Sequence, residues 1–354
     1  MAISVADHRV AHTISIVQVV QILQGAKSRG LDCARVLRHA GIAPALLESP
    51  LSRVTQTQYA RLIFSLCRLT KDELWGLCEH PLPLGSFAMA CQLLVHQKTL
   101  GEAMQIGARY YHQQLRDFAP RLQVSDGVAS FRLTQTQQSS AGLHYAQRAY
   151  MFFSFGLACW LVGRRIPLLE VIYPEPTDSP MGLQRDASRL FQAPVRFESA
   201  WMGYRFDSRW LDLPIVQTEA SAREFMRQAP HSLLIKYRDQ TSLTERIRRL
   251  LRRNLTTDSP SLEDVSSALA MTPQTLRRRL QREGQGYQAI KDSLRRDVAL
   301  EYLNRPELTL IDIANRLGFS EASTFHRAFK GWTGLAPGIY RQRRLLGEDM
   351  DREY

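Results

Sequence analysis

A chain of 354 residues with 44% apolar and 23% charged side chains has the composition of a folded globular protein long enough for two separately cored domains. That excludes a disordered tail, a collagen and a disulfide mini-scaffold. Lys plus Arg number 46 against 34 for Asp plus Glu, and the net charge of +12 with an isoelectric point near 9.8 gives a surface that attracts phosphate, on nucleic acid or on anionic lipid.

The five cysteines (Cys33, Cys67, Cys78, Cys91, Cys159) are odd in number and include no CxxC pair, which predicts buried structural thiols in a reduced, cytoplasmic setting. Met1 to Val10 lacks a basic flank followed by an apolar run, so no secretory leader is expected. The uncharged stretch Ala149 to Gly163 has 15 residues, too few for a membrane span of roughly 20, and is expected to be a core helix.

Residues 1 to about 230 mix helical and strand signals. Ile14, Val17, Val20 and Leu23 recur at helical spacing, as do Tyr59, Leu62, Ile63, Leu66 and Leu69, and two more helices are expected over Phe87 to Val95 and Thr99 to Gln114. Leu122 to Ser125 and Val128 to Leu133 flank Asp126-Gly127, which predicts a hairpin closed by a type I′ turn. A long apolar helix over His144 to Val162 comes next, then short strands at Leu168 to Tyr173, Val195 to Phe197 and Tyr204 to Phe206, punctuated by prolines. The expectation is an α+β domain over 1–230.

From about Lys236 the strand signals vanish and arginine doublets and triplets appear within helical periodicity. Between Lys236 and Leu345 there are 21 basic and 12 acidic residues, so +9 of the net +12 lies in under a third of the chain. Residues 231–241 read as a linker, 242–345 as an all-α domain, and 346–354 as an acidic tail. Ser242 with Glu245, Ser261 with Asp264 and Thr309 with Asp312 are capping-box patterns that each start a helix, and Thr272-Pro273 and Ser320-Glu321 supply two further caps.

Two segments repeat. Val265, Leu269, Met271 and Thr272 align with Ile313, Leu317, Phe319 and Ser320 at an offset of 48, and Leu276 and Leu280 with Phe325 and Phe329 at an offset of 49. Each copy reads as a short helix, a tight turn and a second helix whose apolar residues pack back, the pattern of a helix-turn-helix. The opposite face of the second helix carries Gln274, Thr275, Arg277 and Arg278 in copy one and Ser323, His326 and Arg327 in copy two. Arg bonds bidentately to guanine and Gln to adenine in the major groove, so copy one is expected to read bases, while copy two, with fewer long donors, is expected mainly to position the backbone, with Arg327 as its base reader. Arg279 and Lys330 are expected to touch phosphates. Tyr287 to Leu303 reads as one long helix linking the copies, so that two heads in one chain could reach successive major grooves, roughly 34 Å apart on double-stranded DNA.

Ile313-Ala314, Leu317-Gly318-Phe319, Ser323, Phe325, Arg327, Phe329-Lys330, Gly334, Pro337 and Tyr340-Arg341 resemble, in order and spacing, the signature of the AraC/XylS family of bacterial transcription regulators, over about 105 residues. The front part is similar to the ornithine-utilisation-regulator branch of that family, through Gly85-Ser-Phe-Ala, Thr99-Leu-Gly-Glu-Ala103, the hairpin, Phe191 to Phe197 and Leu211-Asp-Leu-Pro214. The resemblance implies an arabinose-binding-like sensor domain that takes a small-molecule effector. Helices that precede any strand set it apart from the cupin sensor of the arabinose regulator. It also implies homodimerisation, contact with RNA polymerase and a role in activation.

Tyr110 and Trp160 are candidate lining residues for an effector, with Arg109 and Arg148 as candidate partners for a carboxylate on it. The alternative is a ligand-independent dimeric regulator whose front domain only oligomerises. The chain holds no GxSxG, HExxH, Walker or GxGxxG motif, so it is not expected to be an enzyme or to need a cofactor, and its histidines are too scattered to suggest a metal site.

Overall fold

The computed structural model describes residues 13–136, 140–175, 187–188, 190–228, 243–253, 255, 260–282 and 286–342. They group into two compact units. The predicted linker at 231–241, the tail at 346–354 and Ser242 lie outside the described residues.

The front unit takes residues 18–40 and 60–240. Its helices are α1 (Ile16–Ser28), α2 (Cys33–His39), α3 (Gln56–Thr70), α4 (Ser86–Leu94), α5 (Leu100–Gln114), α6 (Ala141–Leu161) and α7 (Glu219–Gln228), of which α1 and α3 begin in the other unit. The five-stranded sheet runs β3 (Phe118–Ser125), β4 (Val128–Gln135), β7 (Met202–Asp207), β5 (Leu168–Ile172), β6 (Val195–Arg196), antiparallel except for β5 with β6. The hairpin closes as predicted, with Asp126 and Gly127 both left-handed at φ 50° and 73°. It starts earlier than the sequence suggested: Pro120 sits inside β3, which an edge strand tolerates because one side of its backbone needs no ladder bond. Ala129, Phe131 and Leu133 alternate inward on β4, and the Phe131 ring stacks on Tyr204 of β7 at 5.1 Å. On α6, Tyr150, Met151 and Phe155 are buried, and Phe155 meets Tyr204 edge-on at 5.4 Å. Among the described residues no helix is long and apolar enough to cross a membrane.

The other unit combines the C-terminal helices with two early segments, residues 13–17 and 41–59, so the first 230 residues do not all belong to one unit. Ile14, expected to be helical, instead lies in β1 (Thr13–Ser15), opposite Val54 of β2 (Arg53–Thr55), and α1 starts only at Ile16. The β-branched residues of the two segments favour a paired strand over a first helical turn. A strand therefore does precede the helices. Thr13 Oγ1 donates to Asp297 Oδ1 at 2.5 Å, Ser49 Oγ donates to the Thr333 carbonyl at 3.1 Å, and the Tyr340 hydroxyl donates to the Arg53 carbonyl. These bonds draw the early segments into the unit.

The C-terminal helices are α8 (Leu243–Arg253), α9 (Leu262–Ala268), α10 (Pro273–Arg282), α11 (Tyr287–Tyr302), α12 (Leu310–Arg316) and α13 (Ala322–Thr333). The sequence repeat is a structural one, since α9 and α12 begin 48 residues apart and α10 and α13 begin 49 apart. Ser261 and Thr309 each accept from the N–H of Asp264 and Asp312, whose carboxylates accept in return from the cap backbone. Leu269 and Leu317 close the first helices, and the next residues, Ala270 and Gly318, turn left-handed at φ 52° and 73°. Val265, Leu276 and Leu280 in copy one and Ile313, Leu317, Phe325 and Phe329 in copy two are buried. Ile290, Leu294 and Val298 of α11 face the same core.

Beneath them lies a buried ion pair. Arg248 of α8 donates to Asp297 of α11 at 2.8 Å and to Ser293 at 3.3 Å, with Arg248 and Asp297 2% and 3% exposed. One turn on, Arg252 reaches Glu301 at 3.2 Å.

Two predictions come from this packing. Ala270→Gly should raise the stability of the unit by about 0.5–1 kcal/mol, because glycine adopts the left-handed turn without a Cβ clash, and Gly318→Ala should lower it by about 1 kcal/mol; thermal melts of the two variants should shift in opposite directions. Asp297→Ala should cost about 3–5 kcal/mol in denaturant unfolding by stranding Arg248, while the double variant Arg248→Met/Asp297→Leu should recover most of that loss.

Candidate nucleic-acid interface and effector cavity

The second helix of each repeat buries its apolar side and leaves a polar one to solvent. On α10, Leu276 and Leu280 are buried while Gln274, Arg277, Arg278 and Arg279 are exposed and Thr275 is half-buried. On α13, Phe325 and Phe329 are buried, Ser323, Arg327 and Lys330 are exposed, and His326 is half-buried with its ring edge-on to Phe325 at 5.9 Å. The predicted residues therefore fall on the accessible sides of their two helices.

Their local bonds are weak. Arg277 lies 3.6 Å from Glu263 with both side chains 63% exposed, a pairing that a phosphate or a guanine easily replaces. Arg279 lies 3.9 Å from Met271 Sδ, and Thr275 completes the cap of α10 by donating its N–H to Thr272 Oγ1. The Ser323 hydroxyl donates to Glu321 at 2.9 Å, which leaves its oxygen free to act as an acceptor. The N-cap of α13 is Glu321, one residue later than the Ser320 cap that the sequence suggested, and its side chain makes no cap bond.

Other arginines that add to the sequence charge are engaged inside the unit. Arg248 and Arg252 pair with Asp297 and Glu301, and Arg296 reaches Ser293 and Asp297. Arg295 lies over the Phe319 ring at 5.0 Å, where burial lowers its pKa, and Arg341 donates to the Leu308 carbonyl at 2.7 Å. A count of basic residues by sequence cannot separate these from the exposed arginines of α10 and α13.

The front unit encloses a cavity of about 390 Å³. It exists because α5 presents small residues, Ala103, Gly107 and Ala108, toward larger ones such as Ile63 of α3, Phe153 of α6 and Tyr204 of β7. The size suits a small organic ligand. Tyr111 and Tyr150, edge-on to one another at 5.0 Å, are fully buried and their hydroxyls are held well above the ordinary tyrosine pKa by burial. Burial likewise pushes the Cys67 thiol on the wall up to about 12, which keeps it neutral and unreactive. The Tyr204 hydroxyl lies beside Ser154, whose Oγ donates to the Met151 carbonyl, and makes no hydrogen bond of ordinary geometry among the described residues.

The lining holds one charged residue, Glu73. Its carboxylate accepts from the N–H of Gly85 at 2.8 Å and of Phe87 at 2.9 Å, closing the start of α4, and burial raises its pKa. Gly85 reaches that position at φ 93°, a left-handed conformation that glycine adopts freely.

None of Arg109, Tyr110, Arg148 and Trp160 lines this cavity. Arg109 is exposed, the Tyr110 hydroxyl donates to the Ser86 carbonyl, Arg148 pairs with Glu175, and Trp160 stacks on Phe225 at 4.3 Å. Tyr111, one residue from Tyr110, and Leu157, Ala158 and Leu161, around Trp160, supply the wall instead. Glu73 was missed; the only hint is a carboxylate between the apolar segments that precede Gly85. Glu79, His80 and Asp117 bring ligand-capable atoms within 4.8 Å of one another, but Asp117 is already held by the His80 N–H at 3.0 Å and the His80 ring at 3.3 Å.

Residues 30–215 match the family model described as the arabinose-binding domain of AraC transcription regulator, and residues 265–343 match a helix-turn-helix domain. The ornithine utilization regulator of Pseudomonas aeruginosa is 28% identical over 335 residues, which cover 94% of this chain and 97% of that one. The urease operon transcriptional activator of Escherichia coli is 35% identical over 88 residues, 25% of this chain and 30% of that protein. The crystal structure of the transcriptional regulator CdpR from Pseudomonas aeruginosa aligns over 92% of this chain and 98% of its own, at 21% identity and a TM-score of 0.32. With its duplicated helix-turn-helix and its matched front domain, the chain belongs to the AraC family of transcription regulators: it is a DNA-binding regulator and not an enzyme.

Proposed function

We propose that this protein activates transcription from promoter DNA in the cytoplasm under the control of a small-molecule effector. The effector occupies the cavity of the front unit and, with homodimerisation, shifts the population toward a state that holds promoter DNA and contacts RNA polymerase. The reading rests on one observation above all: exposed cationic side chains gather on α10 and α13, while Arg248, Arg252, Arg295 and Arg296 are engaged within the unit. The name of the urease operon activator supports the direction of control. Gln274, Thr275, Arg277, Arg278 and Arg327 are assigned to base edges, Ser323 and His326 to positioning α13 on the DNA, and Arg279 and Lys330 to phosphates.

Binding to promoter DNA should weaken about 10³- to 10⁵-fold between about 50 and 200 mM salt if roughly six to ten phosphates are neutralised. A flat response in a fluorescence-anisotropy titration refutes a phosphate-tracking interface. Arg278→Ala should cost about 1–3 kcal/mol at its cognate site and relax selection at one base position. Equal loss on cognate and random DNA makes Arg278 a phosphate contact instead.

A further inference from the structure

The cavity has an asymmetric chemistry. Its walls are aromatic and aliphatic, and among the described residues that line it there is no lysine, arginine or histidine. The one ionisable group of acidic character other than thiol and phenols is Glu73. The N–H groups of Gly85 and Phe87 each take an acceptor site on one of its oxygens, with the Ser86 N–H as a third contact, and a carboxylate offers about four such sites, so acceptor capacity is left over. No cation lies within ion-pair distance of Glu73 among the described residues; the nearby Arg29 is directed to Asp72, at 4.0 Å. Asp72 itself is buried, and its oxygens accept from the N–H groups of Leu74, Gly76 and Leu82. The charge of Asp72 is thus answered inside the fold, and Glu73 is the carboxylate that faces the apolar chamber.

We infer that the cavity takes an apolar molecule carrying an amine, whose ammonium group binds Glu73 while its hydrocarbon part fills the chamber between α3, α5 and α6, and that it rejects the matching carboxylate. This rests on the reading of the cavity as an effector site. An ammonium supplies the cation that Glu73 lacks and donates up to three hydrogen bonds. A carboxylate ligand meets like charge in a medium that screens poorly, with no donor cation to receive it. An alcohol of the same length gains the apolar contacts alone.

Titration calorimetry on the full chain with decylamine, 1-decanol and decanoate, each below its micellar concentration, tests this. Decylamine is expected to bind at least about tenfold more tightly than decanoate, with decanol between them. Glu73→Gln should reduce that preference to within about threefold, and Ala108→Phe, which fills the chamber, should abolish decylamine binding. Decanoate binding as tightly as decylamine overturns the inference, as does decylamine binding that survives Ala108→Phe or an amine preference that survives Glu73→Gln. If Glu73→Gln does not fold, the wild-type ranking together with the Ala108→Phe block decides the matter. Decanol binding that Ala108→Phe abolishes, without an amine preference, overturns the ligand class and leaves the effector cavity standing. Binding of none of the three overturns both.

Discussion

The C-terminal unit depends on a charge pair taken almost wholly out of water. Arg248 and Asp297 are each nearly inaccessible, and removing two ions from solvent is tolerable only when their remaining hydrogen-bonding capacity is met. Ser293 accepts from Arg248, and Thr13 donates to the second oxygen of Asp297. The pair joins α8 to α11, and α11 is the helix that connects the two repeats. The spacing of the two repeats therefore rests on an arrangement that fails if any one partner is lost, whereas an apolar contact in the same place would degrade gradually.

The same physics divides the arginines of this unit into two populations. Where a carboxylate or an aromatic ring lies within reach, as for Arg248, Arg252 and Arg295, the guanidinium is absorbed into the fold. Where the helix face is open, as on α10 and α13, it remains available to a ligand. The front unit applies the converse rule: its cavity keeps an acidic group without a matching base, and the missing charge becomes a statement about what can enter.

The helix-turn-helix pair was legible in the sequence because its determinants are local. Capping boxes, a left-handed turn residue and apolar spacing within about 20 residues mark each copy, and Ser261 with Asp264 and Thr309 with Asp312 form the bonds their spacing suggests. Asp126-Gly127 was legible for the same reason. The cavity was not, because Ile63, Glu73, Tyr111, Phe131, Tyr150 and Tyr204 come from separate elements and meet only in three dimensions. Ile14 misled because a β-branched residue next to a real helix extends its apparent periodicity. The buried ion pair left a trace that could have been read: Arg248 and Arg252 are four residues apart, Asp297 and Glu301 are four apart, and each bond spans 49 positions.

The hydrogen bond from Thr13 to Asp297 spans 284 positions. A ribosome adding about 5–20 residues per second makes the acceptor roughly a quarter of a minute to a minute after the donor. During that interval Thr13 has its β2 partners, with the Arg53 guanidinium donating to it, but not Asp297, and loop closure over such a distance is a late and slow event. The front unit's own sheet, built between Phe118 and Asp207, is synthesised meanwhile and needs none of these contacts. Order of synthesis thus makes the C-terminal unit, which draws on both ends of the chain, the last part of the molecule to be completed.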